Sequence, residues 1–418
     1  MTHRGRSGGF TAALCAALAL LASPAAAQQA APHWVGSWAS AQQIPEPHNA
    51  LPDEQLADAT LRQVVRTTLG GHSLRVQISN AFGTQPLVVD GVHIAYSADP
   101  ATSRIVAGSD HAVSFDGKAS VIVPAGASYW SDPVAIEAKP LSSLAVTMHL
   151  PQSPAQQTGH PGSRATSYIL AGRHLADPAL AGAETVDHWY QLAGIAVAGQ
   201  PDARAIVTLG DSITDGHAAT TNGNDRWPDR LAERLQQNPA TRDVSVLNLG
   251  IGGNRILQDG LGPNALARFD RDVLAQPGVR YLILMEGIND LGTLTRDAPA
   301  SAQAHEMLTD RIIGAMRQMV DRAHAHGITV IGGTIMPDGA SGYYHPGKLD
   351  NASRERINDW IRAPGHFDAV IDFATITQDP SDPTRLGPRF DSGDGLHPGP
   401  QGYRAMGDAI PLSLFEAK

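Results

Sequence analysis

The chain has 418 residues, 42% of them hydrophobic and 17% charged, with a net charge of −10. That length predicts two or three domains, or one enlarged α/β domain with an accessory module, and the composition is that of a folded chain. A single cysteine, Cys15, excludes a disulfide framework, and the acidic balance argues against nucleic acid or an anionic membrane surface as a partner.

Arg4 and Arg6 precede an apolar stretch, Phe10 to Ala22, which runs into the small residues Ala25, Ala26 and Ala27. This pattern predicts a secretory signal peptide over residues 1–27, cleaved near Ala27, because the stretch is shorter than the roughly 20 residues needed to span a bilayer. Export to the periplasm or the exterior is therefore expected, with no stable membrane insertion after cleavage. The exported chain would hold no cysteine, which removes thiol catalysis. Loss of the two arginines takes its net charge from −10 to −12, a balance that favours neutral substrates or simply solubility.

From residue 32 to 198, short runs alternate polar and apolar residues between Gly, Pro, Asn and Asp turns, as at 60–69, 72–83, 86–97, 119–126 and 141–151. With no stripe of period 3.6, they predict an accessory domain built as an antiparallel β-sandwich or jelly roll. The segment VAGQPDAR, residues 197–204, marks the boundary, and residues 199–418 change period. Apolar runs at 205–210, 244–250, 281–287, 328–335 and 368–373 now alternate with helix-like segments at 227–237, 264–275, 300–326, 351–362 and 401–415. In the longest of these, Leu308, Ile312, Met316, Met319, Val320 and Ala323 form an apolar stripe. Such alternation predicts a parallel sheet with helices on both faces.

In an open α/β sheet ligands bind beyond the carboxyl ends of the strands. Four loops there carry chemistry: Gly210-Asp211-Ser212, Gly250 to Asn254, Gly287 to Asp290, and Asp394 to His397. A serine hydroxyl needs a base to become a nucleophile, the base needs an orienting acid, and a tetrahedral oxyanion needs preorganised donors. Ser212 at a strand-to-helix turn can offer its hydroxyl and its own N–H. His397 is the natural base and Asp394 its orienting acid, while the N–H of Gly253 and the side-chain amide of Asn289 can complete an oxyanion hole. Each fragment alone has a plainer reading: Asp211 and Ser212 as a helix cap, Asn289 bonding its own backbone, Asp-x-x-His on the surface. Four of them in an order that suits one reaction favour a site.

GDSIT with Ser212, LGIGGNR with Gly253, GIND with Asn289 and DGLHP with Asp394 and His397 resemble the four blocks of the SGNH hydrolases, also called the GDSL esterases and lipases. The resemblance spans residues 204–415. It implies a flavodoxin-like three-layer α/β/α domain with a five-stranded parallel sheet, a catalytic triad of Ser212, Asp394 and His397, and oxyanion donors from Ser212, Gly253 and Asn289. The strand-rich region before it lies outside the minimal family domain and resembles extra β-sandwich modules of some exported carbohydrate esterases.

No G-x-S-x-G and no helix-opening G-x-G-x-x-G occurs. His324 and His326 suit a helix C-terminus, and His305-Glu306 lacks the second histidine of a zinc protease, so no metal and no cofactor are expected. Asp215 and His217, and Tyr343, Tyr344 and His345 after the fourth strand, are candidate substrate contacts, with a solvated loop or packing against the sandwich as the alternatives. The expected activity is an exported, metal-independent serine esterase acting on acetylated carbohydrate. A short-chain aryl or alkyl esterase, a lysophospholipase-type acylhydrolase and an acyltransferase remain alternatives, as does a carbohydrate-binding protein with an inactive hydrolase-like domain.

Overall fold

The computed structural model describes residues 32–416, with residues 1–3, 5 and 9; the body of the predicted signal peptide, from residue 10 to its cleavage point near Ala27, lies outside the described residues. Two antiparallel sheets come first. The larger runs in the order Glu184–Val186, Ser167–Ala171, Ala59–Arg66, Ser143–Leu150, Gly91–Tyr96, His111–Val113, and the smaller in the order Trp34–Ala39, Leu192–Ala198, Leu74–Ser79, Ser128–Trp130. Val92, Ile94, Val146 and Met148 from the first and Val76, Ile78, Ile195 and Val197 from the second belong to one buried core. The period-2 spacing of these residues along their strands is what directs them inward.

The five parallel strands stand in the order Val244–Gly250, Arg204–Gly210, Val279–Met285, Thr329–Gly333, Ala369–Ile371. The first strand in the chain is thus second in the sheet, with the second strand outside it and the other three following on its other side. That is the flavodoxin-like order, whose switch point lies between Val244–Gly250 and Val279–Met285, at the carboxyl end of Arg204–Gly210. The Arg204–Gly210 strand is buried along nearly its whole length, as a strand covered on both faces must be. Helices Trp227–Gln237, Ala302–Ala325 and Lys348–Arg362 connect the strands, and Pro400–Ala409 follows the last of them. In Ala302–Ala325, Ile312, Met316, Met319, Val320 and Ala323 are buried as the stripe predicts, and Ser301 caps the start by accepting the Ala304 N–H at 3.2 Å.

Three expectations change. Residues 264–275 are not one helix but an α-helix, Ala265–Phe269, running into a π-turn, Asp270–Leu274. The last helix stops at Ala409, because Pro411 disfavours a helical Ile410 and cannot donate, and the chain resumes as a 3-10 turn, Leu412–Phe415. The GIND segment, expected as a loop, opens a helix, Ile288–Thr295, entered through Gly287 at φ 117°.

The antiparallel half covers the exposed edge of the parallel sheet. On edge strand Val244–Gly250, the Thr68 hydroxyl donates to the Val246 carbonyl and accepts the Val246 N–H, both at 3.1 Å. Gly36 lies so close to Leu247 that a Cβ there would sit 2.8 Å from Leu247 Cδ1. Pairing of this kind removes the template for association that a bare edge strand presents. Residues His33–Lys418 form one compact unit, with a hydrophobic core continuous through both halves.

Candidate active site

The Arg204–Gly210 strand ends at the one-turn helix Ser212–Asp215. Asp211 caps it, its Oδ1 accepting the Ile213 N–H at 2.9 Å, so the capping reading of this aspartate holds. Ser212 itself is turned to another partner. Its Oγ lies 2.8 Å from His397 Nε2, and His397 Nδ1 lies 2.6 Å from Asp394 Oδ2. A carboxylate only accepts, so Nδ1 carries the proton and Nε2 is left to accept the Ser212 O–H. Asp394 Oδ1 takes the backbone N–H groups of Leu396 and His397 at 2.9 and 2.8 Å, which ties the carboxylate to its own loop. Burial opposes the charge on Asp394, but these bonds and the one from the His397 ring outweigh it and hold the carboxyl well below the usual range.

These residues open into a cleft of about 1000 Å³ that Gly253, Asn289, Leu261, Tyr343 and Tyr344 also line. Gly253 takes φ 67°, a conformation glycine adopts without strain. Among the described residues, the backbone N–H groups of Ser212 and Gly253 meet no protein acceptor. Asn289 gives one amide hydrogen to the Asn254 carbonyl at 2.8 Å, and its Oδ1 accepts the Tyr344 hydroxyl at 2.6 Å. The Asn254 carbonyl, which can only accept, settles which side of the amide is nitrogen, and the second N–H is left for the cleft.

The other candidate contacts separate. Tyr343 is exposed at the cleft lip, edge-on to Tyr344 and with Arg296 5.7 Å from its ring centroid. Tyr344 is buried, with burial pushing its phenol up, so that it bears on the cleft chiefly through Asn289. His345 is exposed at φ 51° and does not line the cleft. Asp215 faces away from the cleft and accepts from His160 Nε2 of the antiparallel half at 2.8 Å. His217 does line the cleft. Its ring lies 4.1 Å from that of His397, and Arg164 reaches its Nδ1 at 3.2 Å. Partial burial, His397 and Arg164 push its pKa down to about 4, so it is neutral near pH 7.

The ligand atoms of His217, Asp394 and His397 lie within 4.8 Å of one another, the grouping among the described residues that could hold a metal ion. Both ring nitrogens of His397 are already engaged, so a metal there would displace Ser212 or Asp394.

Behind the nucleophile is a layer that motif reading missed. Arg268 is fully buried and donates to the carbonyls of Gly210 and Leu249, at 3.0 and 2.6 Å, and to Asn254 Oδ1. It therefore ties together the ends of two strands and the residue that holds Asn289. Its charge faces Asp272 at 3.1 Å and Glu286 at 3.6 Å. Burial drives both Glu286 and Asp211 upward, and a neighbouring carboxylate adds to each shift, Asp211 to that of Glu286 and Asp290 to that of Asp211.

Residues 208–405 match the model of the GDSL-like Lipase/Acylhydrolase family. These residues, just under half of the chain, are thus a GDSL-like lipase/acylhydrolase domain, of a family of esterases. None of the curated proteins compared with the chain matches it. Among solved structures it is similar to a GDSL-like lipase from Bacteroides thetaiotaomicron VPI-5482, at 20% identity over 50% of this chain and 87% of that one, TM-score 0.36. It is also similar to a carbohydrate acetylesterase from Sinorhizobium meliloti, at 16% identity over 50% and 98%, TM-score 0.35. A third is an aryl esterase from M. smegmatis, at 16% identity over 51% and 98%, TM-score 0.37.

Proposed function

We propose that the protein is an exported serine esterase that hydrolyses carboxylic esters through an acyl-enzyme, with acetyl esters on carbohydrate as its first substrate class. The observation that carries the mechanism is the hydrogen-bonded chain Asp394–His397–Ser212 opening into a cleft. Export rests on the Arg4 and Arg6 leader with its small-residue end at Ala27. Ser212 Oγ attacks the ester carbonyl while His397 Nε2 takes its proton. Asp394 stabilises the imidazolium, and the N–H groups of Ser212 and Gly253 with the Asn289 amide receive the negative oxygen. The imidazolium then protonates the departing alkoxide. A water molecule, deprotonated by the same nitrogen, attacks the acyl-enzyme and releases the acid.

The exposed Leu261 and Tyr343 at the cleft lip favour a second reading in which an aryl or alkyl group sits there. Acetate release from acetylated oligosaccharides, set against hydrolysis of p-nitrophenyl esters of rising chain length, tests both. The proposal expects acetyl esters to lead; a clear preference for long chains would end the carbohydrate assignment. No turnover of any ester would remove the esterase reading itself.

A further inference from the structure

Beside the cleft lies a second hollow of about 480 Å³, and Arg255, Thr293 and Arg296 line both spaces. Arg311, on helix Ala302–Ala325, contributes to the wall of the second hollow only. Three guanidinium groups thus border a space that has one acid in its lining, Asp290. That acid is spent on the backbone, its two oxygens accepting the N–H groups of Ile256 and Leu257 at 2.8 and 3.0 Å. Burial also pushes it up to about 6, so its charge fades only below neutral pH.

The three arginines differ in how they are held. Arg296 is fixed by Asp297 at 3.1 Å and by the Tyr343 hydroxyl at 3.2 Å. Arg255 is half-buried and donates to the backbone carbonyl of Asp259, which anchors the side chain without neutralising it. Among the described residues neither Arg255 nor Arg311 enters an ion pair, whereas the neighbouring Arg268, Arg296, Arg322 and Arg356 all do. In a chain of net charge −10, a groove edged by cations at the mouth of the reacting site is a local inversion of sign. Field lines focus in such a concavity, and a guanidinium fork matches a carboxylate or phosphate.

We propose that this groove is a subsite for an anionic group, a carboxylate or a phosphate, carried by the ester substrate away from its scissile bond. The inference rests on the esterase reading and narrows its substrate class. It also revises the expectation of neutral substrates drawn from net charge, because a sum over the chain cannot register three arginines gathered around one hollow.

The test compares kcat/KM for an acetylated oligogalacturonate, an acetyl ester of glycerol phosphate and an acetylated xylo-oligosaccharide, which separates carboxylate, phosphate and neutral substrates. At low salt at least one anionic ester leads the neutral one by about tenfold or more, the scale of one charge-assisted hydrogen bond. The lead shrinks as salt screens the groove and shrinks again in Arg255→Gln and in Arg311→Gln. A lead of one or less for both anionic esters, or a lead that neither substitution moves, overturns the proposal. A second arm needs no turnover: Ser212→Ala protein is titrated calorimetrically with oligogalacturonate and with glycerol 3-phosphate. Saturable binding of either that weakens when Arg311→Gln is added supports the subsite, and absence of heat with both overturns it. Binding that persists while no ester is hydrolysed strikes the esterase reading alone.

Discussion

The two halves of the molecule hold the nucleophile loop by different means. From the parallel-sheet side, one buried guanidinium, Arg268, gathers the carbonyls of Gly210 and Leu249 and so sets where the strands end. From the antiparallel side, a short segment lies against the loop itself. His160 meets Asp215 at 2.8 Å and the Ala41 carbonyl at 2.8 Å, Arg164 meets His217, and the Arg226 guanidinium meets the Ser163 carbonyl. Gly162 is pressed so close that a Cβ there would lie 1.9 Å from Asp215 Oδ2. Arg268 fixes backbone, and with it the placement of Ser212. The His160 segment satisfies buried side chains, and with them the shape of the loop after Ser212. The antiparallel half is thus built into the site's support as well as into the common core.

Mutations can break this contrast, and their effects are expected to fall in a definite order. Ser212→Ala and His397→Ala lower kcat by about 10⁴-fold or more while thermal unfolding stays close to wild type, since each removes chemistry and little packing. Arg268→Met acts the other way. It leaves buried Glu286 without its nearest cation and takes from Asp272 and from the Gly210 and Leu249 carbonyls the donor that joins them, for a loss of about 3–5 kcal/mol in chemical denaturation. Asn289→Ala lowers kcat by about 10²–10³-fold with a smaller change in KM, the effect of losing one oxyanion donor. Tyr344→Phe gives a weaker version of the same kinetic signature, because it frees the amide to turn without removing it.

His160→Ala probes the antiparallel side. It strands the Asp215 carboxylate and is expected to cost about 1–3 kcal/mol of stability, with a loss of kcat well below that of Asn289→Ala. Equal kinetic losses for the two would erase the distinction between placing Ser212 and shaping its loop.

The smallest effect is on pH. Burial raises Asp211 to about 7 and Asp290 and Asp338 to about 6, from 3.8. Groups with raised carboxyl pKa contribute stability that is fully present below about pH 4 and is lost as pH climbs through 6 to 7. Asp394, lowered instead, contributes stability that disappears as pH falls below its unfolded value of 3.8. The thermal midpoint is therefore expected to be higher near pH 5 than at pH 8, by about 2–4 °C, with the difference reduced in Asp211→Asn.

What could be read from sequence follows the range over which each feature is encoded. The parallel sheet and the Ser212, Gly253, Asn289 and Asp394–His397 blocks were legible because apolar runs mark strand ends and each block sits directly after one, save the last, which precedes the final helix. Helix Ile288–Thr295 was not, because eight residues with Gly292, Thr293 and Thr295 carry no apolar stripe long enough to see. Arg268 looked like an ordinary residue on an amphipathic segment; its role appears only when Gly210 and Leu249 arrive beside it. Tyr344 was visible as an aromatic near the site, but its bond to Asn289 is set by a loop whose path no periodicity describes. His160 lies outside the family resemblance altogether, and Asp215, its partner, offers in sequence only a candidate substrate contact or a solvated loop, because nothing local announces the histidine that covers it.

The central claim is that Ser212 becomes acylated, and mass spectrometry of protein quenched in acid during turnover of p-nitrophenyl acetate tests it most directly. The account predicts one acetyl group on the tryptic peptide Ala205–Arg226, located at Ser212, accumulating in a burst and absent from Ser212→Ala. Turnover with that peptide unmodified, or an acetyl group on the same peptide undiminished in Ser212→Ala, would contradict it.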